Sequence, residues 1–219
     1  MAEKKKSMLY KLKPIIDKMP AVTPPEGHVH FKVKMAWTLT ILVLYFILTN
    51  VMIYGLGEKT IDAFSSFRAI LAGASGSVMH LGIGPIVTGS IIMQLFTGAG
   101  IIKLDLTDDE DKAIYQGTQK VVVLIMIVVE AVPQVYGYLE PSPTFISRLE
   151  TMPVGSGKFW ARFLIVLQLF VGSYLVFLMD EVVSKWGIGS GISMFIAAGV
   201  SQAIFTGTFN FEKVNSSQP

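Results

Sequence analysis

The chain has 219 residues, of which 52% are hydrophobic and 16% charged, with a formal net charge of +2 and no cysteine. A water-soluble domain of this length needs more charge on its surface, so the composition excludes that class. The lack of cysteine excludes disulfides and thiolate metal sites.

Residues 1–32 form a basic N-terminal segment. Its lysines alternate with apolar residues at helical spacing, among them Leu9, Leu12 and Ile16. This pattern predicts a short amphipathic helix on the cytoplasmic membrane surface, which Pro20 would end. A solvated, unstructured tail is the alternative.

Five long stretches within residues 33–207 carry no charge or almost none. Each is long enough, or nearly so, to cross a hydrocarbon core of about 30 Å as a helix. They predict an all-α, polytopic membrane protein with five transmembrane helices, the second of them broken. We expect these helices at 35–56, 82–100, 119–139, 160–181 and 189–207, with an external tail at 208–219.

The distribution of basic residues predicts the orientation. With a cytoplasmic N-terminus, twelve of the 18 Lys and Arg residues fall inside and six outside, in agreement with the positive-inside rule. Because five spans put the two chain ends on opposite sides, a homologous five-helix unit following this one would be inverted. Inverted repeats around a central pathway are common in transporters.

The second uncharged stretch, residues 69–102, is too long for one span. As a single helix it would measure about 50 Å, and it contains seven glycines and Pro85. We expect a half-helix at 62–72, a break, and a full helix that starts near Pro85. Broken helices at membrane depth occur where the backbone is buried in protein or lines a watery cavity. A glycine-kinked packing helix is the alternative.

Three motifs carry a resemblance to a known family. Leu81-Gly-Ile-Gly-Pro-Ile-Val-Thr88, followed by Ile91-Ile-Met-Gln-Leu95, resembles the second transmembrane segment of the SecY family. The run 113–120 resembles the start of its third helix, and 180–198 the junction of its fourth and fifth. The chain is identified as the N-terminal half of a member of the archaeal and eukaryotic branch. The family has ten helices in two inverted halves, and 140–158 is the least recognisable part.

The resemblance implies an apolar ring at the waist of an hourglass pore. The matching positions here are Ile83, Val87, Ile192 and Ile196. Each pair is spaced i, i+4, so its two members face the same way. Such a ring closes around an extended chain while it excludes water.

The half-helix at 62–72 matches the plug of the family, which blocks the resting pore from the external side. The matching residues are Phe64, Phe67, Ile70 and Leu71. Glycines at 73 and 76 would let this segment hinge away.

Glu130 is the only charged residue in the middle of a span. Placing a charged carboxylate at the centre of a span raises the free energy of membrane insertion by about 3 kcal/mol, so Glu130 is a candidate functional residue. In the family, the positions matching Thr88 and Glu130 form a polar cluster with a residue of the second half. This cluster lies at the lateral gate, where signal sequences pass into lipid. The alternative is a protonated glutamate that serves helix packing.

The junction between the last two spans contains further polar residues. Ser190 is a plausible N-cap of the fifth span, and we expect Asp180 and Glu181 to cap a solvated helix end. The chain shows no catalytic constellation, nucleotide-binding loop or metal site, and we expect neither an enzyme nor a cofactor.

The resemblance implies a passive channel that translocates secretory polypeptides and inserts membrane proteins. It implies a multi-pass protein of the cell membrane. The implied partners are the second half of SecY, SecE, a small beta subunit, a ribosome on the cytoplasmic face, a nascent polypeptide with its signal sequence, and lipid. Two alternatives remain open: half of a secondary transporter, which would need convergent polar groups at the midplane, and a scaffold without a pathway.

Overall fold

A computed structural model describes residues 8–25, 27–57, 70–102, 104, 107–150 and 156–209. After a 3-10 turn at Met8–Leu12, the helices are α1 (Lys13–Ile16), α2 (Phe31–Thr49), α3 (Gly84–Gly98), α4 (Asp109–Gly137), α5 (Pro143–Leu149), α6 (Gly157–Trp186) and α7 (Gly191–Thr208). Within these residues, β-pairing is limited to two isolated bridges. The predicted all-α class is confirmed.

Four of these helices, α2, α4, α6 and α7, are long and apolar enough to cross a membrane. The remaining expected span, which is the second in chain order, is divided. Helix α3 has 15 residues, or about 22 Å at 1.5 Å per residue, and the irregular segment 70–83 precedes it. The predicted polytopic fold with a broken second segment is confirmed.

Helix α6 is the centre of the bundle. It packs against α2, α4, α5 and α7, and α3 packs against α4. One continuous apolar core results, with Tyr45 of α2, Ile127 of α4, Leu169 of α6 and Phe195 of α7 all fully buried. The rings of Tyr45 and Phe195 stack with their centroids 5.2 Å apart, which joins α2 to α7.

Much of the segment 70–83 is buried although it is not helical. Ala72, Met79 and His80 are each 0% exposed. Buried backbone groups outside a helix need other partners, and here the Ile83 N–H donates to the Leu71 carbonyl at 2.9 Å. The Tyr45 hydroxyl donates to the Ala72 carbonyl at 3.1 Å. The non-helical backbone at membrane depth is thus enclosed and hydrogen-bonded by protein.

Helix α2 ends at Thr49, seven residues before the predicted end at 56, so the prediction was wrong there. The backbone after it extends and pairs with 70–83: the Val78 N–H donates to Val51 at 2.8 Å and the Ile53 N–H to Gly76 at 2.9 Å. The same stretch pairs further on with Pro141 through Leu56. These hydrogen bonds replace the helical ones that the apolar sequence had suggested.

Gly172 of α6 lets the irregular segment approach closely. A Cβ atom at this position would overlap the carbonyl oxygen of Val78. The absence of a side chain on α6 therefore makes room for the backbone of 70–83 against the central helix.

The N-terminal segment packs against the polar first turns of α4. The Tyr10 hydroxyl donates to Asp111 at 2.6 Å, and this hydrogen bond, with burial and neighbouring acids, raises the pKa of Tyr10 to about 12. A Cβ atom on Gly117 would overlap the Ile16 side chain. Helix α4 therefore starts ten residues before the predicted position 119. Its polar first turns are supported by the N-terminal segment, whereas the prediction included only the apolar run.

Candidate channel site

The site begins where the irregular segment becomes α3. Gly82 has φ +57°, in the left-handed region, and Pro85 lies in the first turn of the helix, where its missing N–H costs nothing. Between them, Ile83 occupies the N-cap position and is 2% exposed. Its side chain thus lies in the core at the point where the second span is broken.

The other three predicted ring residues lie beside the same apolar core. Val87 follows Ile83 by one turn on α3, and Ile192 and Ile196 lie in the first two turns of α7. All three are half-buried and pack on the cluster that contains Ile83. All four residues therefore belong to the single apolar core or pack against it, with Ile83 deepest.

The junction between α6 and α7 is held by Asp180. Its Oδ1 atom accepts the backbone N–H of Ile192 at 2.9 Å, and a Cβ atom on Gly191 would lie 2.6 Å from the same oxygen. Ser190 occupies the N-cap position but makes no side-chain capping bond. We expected Asp180 to cap a solvated helix end. It caps the start of α7, but its side chain is half-buried and not solvated.

Thr88 and Glu130 meet across the α3–α4 interface. The Glu130 carboxyl group lies near the Thr88 side chain. A Cβ atom on Gly84 would be 3.0 Å from Glu130 Oε2, so the carboxyl group also touches the first turn of α3. The Thr88 hydroxyl donates to the Gly84 carbonyl at 2.9 Å. The two predicted gate residues are thus in one polar group at the start of α3.

The predicted plug residues Phe64 and Phe67 lie outside the described residues. Ile70 is 57% exposed, and Leu71 is half-buried. Since Leu71 accepts the hydrogen bond of Ile83, the end of the predicted plug segment adjoins the predicted ring.

Sequence reasoning missed a buried ionic cluster at the opposite end of α6 from Gly157. Glu181 is 8% exposed, and its Oε1 atom lies 2.7 Å from the Nζ atoms of both Lys120 and Lys185. The expectation of a solvated Glu181 was therefore wrong. The i, i+4 spacing of Glu181 and Lys185 was a weak signal for half of the cluster.

This cluster also fixes the chain ahead of α2. The Lys185 ammonium group donates to the Val22 carbonyl, and the Trp186 indole donates to the Thr23 carbonyl at 2.8 Å. The Trp186 ring lies 6.2 Å from that of Trp37. The N-terminal segment and the start of α7 are therefore held at the same end of the bundle.

These features define a class of protein: a polytopic helical membrane protein whose second span is broken and buried beside an apolar cluster. Residues 77–218 match the SecY family model, and residues 43–76 match the model described as the plug domain of Sec61p. The chain belongs to the SecY family.

Curated relatives support this membership. The chain is 52% identical over 206 residues to the protein translocase subunit SecY of Archaeoglobus fulgidus, covering 94% of this chain and 41% of the relative. For the same subunit of Methanocaldococcus jannaschii the identity is 42% over 207 residues, with coverages of 92% and 43%. The chain thus spans about two-fifths of the length of these relatives.

Solved structures agree. A protein-conducting channel matches with a TM-score of 0.77 and 42% identity, over 90% of this chain and 43% of that one. Sec61 in a canine ribosome–channel complex from the endoplasmic reticulum matches with the same TM-score, identity and coverages. The fold of the chain is therefore that of one part of such a channel.

Proposed function

We propose that the chain forms the N-terminal half of a passive channel that conducts unfolded polypeptides and inserts membrane proteins. The observation that carries the proposal is the position of Ile83. It lies where the buried, non-helical segment 70–83 enters α3, in the same apolar cluster as Ile192 and Ile196 on α7. Family membership gives this geometry a functional context.

In the proposed mechanism, Ile83, Val87, Ile192 and Ile196 form this half of the constriction. Branched apolar side chains exclude water and ions from a narrow pore without binding the polypeptide that passes. Ile83, at 2% exposed, is held firmly by the core of this half, which would fix its position in the constriction. The residues matching the plug, Phe64, Phe67, Ile70 and Leu71, would cover the ring from outside.

The contact between Thr88 and Glu130 is proposed to serve the lateral gate. A polar group between α3 and α4 is costly in lipid and is satisfied while the two helices stay together. A signal sequence that parts this half of the channel from the other half beside Thr88 and Glu130 would change the surroundings of Glu130. The gate would then respond to an apolar segment in the pore.

The N-terminus is proposed to be cytoplasmic. The N-terminal segment contacts Lys185 and lies at the same end of the bundle as Lys120, so the basic residues collect on one side. The proposed partners are the remainder of SecY, SecE, a small beta subunit, a ribosome and a nascent chain. The driving force for transport would come from a partner, because we propose neither a catalytic role nor a cofactor.

Site-specific photocrosslinking tests the proposal. A crosslinker at Ile83 or Ile192, in channels assembled with the remaining part of the polypeptide, should react with a stalled secretory nascent chain. A crosslinker at Val171, which is 49% exposed on α6, is the matched control and should react mainly with lipid. Adducts at Val171 alone, in an assembled complex, would refute the pore assignment.

A further inference from the structure

Arg162 has no counterion among the described residues. It lies in the second turn of α6, with its guanidinium carbon 4.6 Å from the centroid of the Tyr136 ring. Its buried Nε atom has no hydrogen-bond partner among the described residues, and the ion pairs found there all involve other cations. The positive charge is thus held against an aromatic face, and its Nε donor is left without a partner among the described residues.

A cavity of about 140 Å³ opens beside this pair. Besides Arg162 and Tyr136, its lining consists of Val132, Phe159, Phe163 and Val166. The rim is aromatic and open, since Tyr136, Phe159 and Phe163 are 53%, 53% and 48% exposed. The two valines lie about one helical turn deeper toward the middle of the bundle. The cavity is therefore cationic and aromatic at its mouth and apolar at its floor.

The position of the cavity matches the level of lipid headgroups. Tyr136 precedes the end of α4 by one residue, and Arg162 follows the start of α6 by five. Aromatic side chains collect at this level of membrane proteins because their amphipathic rings suit the interface. It is the opposite end of the bundle from the cluster of Lys120, Glu181 and Lys185.

An exposed apolar stripe continues from the cavity along α6. Phe163, Leu167 and Val171 follow one another at i, i+4 spacing and are 48%, 46% and 49% exposed. Side chains at this spacing form a row on one helix face. The row carries no charge and has the direction of an extended acyl chain.

We propose that this cavity is a specific site for an anionic phospholipid. The lipid phosphate would accept charge-assisted hydrogen bonds from the Arg162 guanidinium, which is suited to two parallel bonds. One acyl chain would lie on Val132 and Val166 and continue along the stripe on α6. The site lies away from the residues of the proposed pore and does not depend on that function.

Native mass spectrometry of the full-length protein in detergent tests this proposal. The lipid probe is phosphatidylglycerol, titrated against the wild type, Arg162→Gln and Lys158→Gln. Lys158 is exposed on the same helix outside the cavity lining, so its substitution is a matched loss of one charge. We expect Arg162→Gln to weaken binding at least tenfold and Lys158→Gln to leave it within twofold. Arg162→Lys should retain part of the affinity, because it keeps the charge but loses the planar fork.

Two further probes separate the possible ligands. Diacylglycerol has the acyl chains without the phosphate and should bind at least tenfold more weakly than phosphatidylglycerol. Millimolar inorganic phosphate should not displace the lipid, since it lacks the apolar part. Displacement would show a site for soluble anions and overturn the proposal.

The proposal would also be overturned by an unchanged affinity of Arg162→Gln for phosphatidylglycerol, or by tight binding of diacylglycerol to the wild type. Should Arg162→Gln fail to fold, Tyr136→Leu provides the second variant, since it removes the aromatic face but keeps the charge. We expect Tyr136→Leu to bind phosphatidylglycerol severalfold more weakly than the wild type. The site would also be contradicted if both Tyr136→Leu and Arg162→Lys bound the lipid as tightly as the wild type.

Discussion

Asp180 and Ile192 join the last two membrane helices through one hydrogen bond of 2.9 Å, from the Ile192 backbone N–H to the Asp180 carboxylate. The bond does two things at once. It satisfies one of the free N–H groups at the start of α7, and it places a negative charge at the positive end of the helix dipole. It also sets the position of Ile192, a candidate residue of the constriction.

Removing this cap should destabilise the protein more than removing the residue at the N-cap position. We expect Asp180→Ala to lower the free energy of unfolding by about 1–2 kcal/mol. Ser190→Ala is the matched control and should change it little, because the Ser190 side chain makes no capping bond. Thermal unfolding in detergent measures both. A larger effect of Ser190→Ala would show that Asp180 is not the cap.

The buried cluster around Glu181 should be sensitive to the loss of its carboxylate. Glu181→Ala leaves Lys120 and Lys185 facing each other with side chains only 16% and 29% exposed, and should cost about 3 kcal/mol. The exposed pair of Lys13 and Glu110, at 3.5 Å, is the comparison. Glu110→Ala should cost less than about 1 kcal/mol. Equal costs in chemical denaturation would contradict a buried cluster.

The turn before α3 should tolerate only glycine at position 82. Gly82 has φ +57°, and a Cβ atom there would overlap the Leu71 carbonyl oxygen. Gly82→Ala should therefore cost at least about 2 kcal/mol. Gly98, at the end of α3, has open space around it, and Gly98→Ala should leave the melting temperature unchanged or slightly higher. Folding yield and melting temperature are measured for both variants. A melting temperature of Gly82→Ala equal to that of Gly98→Ala would contradict the requirement for glycine at position 82.

Gln168 should hold the extended stretch that follows α2. Its side-chain amide accepts the Tyr54 N–H at 2.8 Å and donates to the Tyr54 carbonyl at 3.1 Å. Gln168→Leu should cost about 1 kcal/mol for each lost bond and speed hydrogen exchange in residues 51–57. Gln202→Leu, at an exposed position on α7, should leave that exchange unchanged. Protection of 51–57 that survives in Gln168→Leu would exclude this role.

The apolar ring should govern the ion permeability of the assembled channel. Serine at Ile83, Val87, Ile192 and Ile196 makes the constriction wettable, so reconstituted vesicles should leak ions. Serine at Val43 and Ile47, which are 58% and 56% exposed on α2, is the control and should not cause a leak. Tight vesicles containing the folded ring variant would count against the constriction.

The sequence was sufficient to predict features that depend on local pattern. Uncharged runs predicted the membrane helices, because each apolar stretch must be long enough to cross lipid whatever its neighbours are. The glycines around Pro85 predicted the break before α3. The proximity of Thr88 and Glu130 came from the resemblance to SecY, since nothing in either stretch alone relates the two residues.

Features that depend on contacts distant in sequence were not predictable in this way. The apolar run continues past Thr49, and α2 ends there because Val51 and Ile53 pair with the backbone of residues 76–78. Glu181 was expected to be solvated because Lys120, its partner, lies 61 residues away. The partner of Asp180 also depends on a contact between helices, because Asp180 lies on α6 and the N–H group that it accepts belongs to Ile192 on α7.

The pairing of Val51 with Val78 and of Ile53 with Gly76 has a consequence for the chain between them. These bonds close a loop and tie its two ends to the bundle independently of what the loop contains. Both strands of this pairing are anchored to the bundle by their own contacts, Tyr54 to Gln168 on α6 and Ala72 to Tyr45 on α2. A substitution in residues 58–69 can therefore alter the proposed plug without breaking the contacts that hold its two ends.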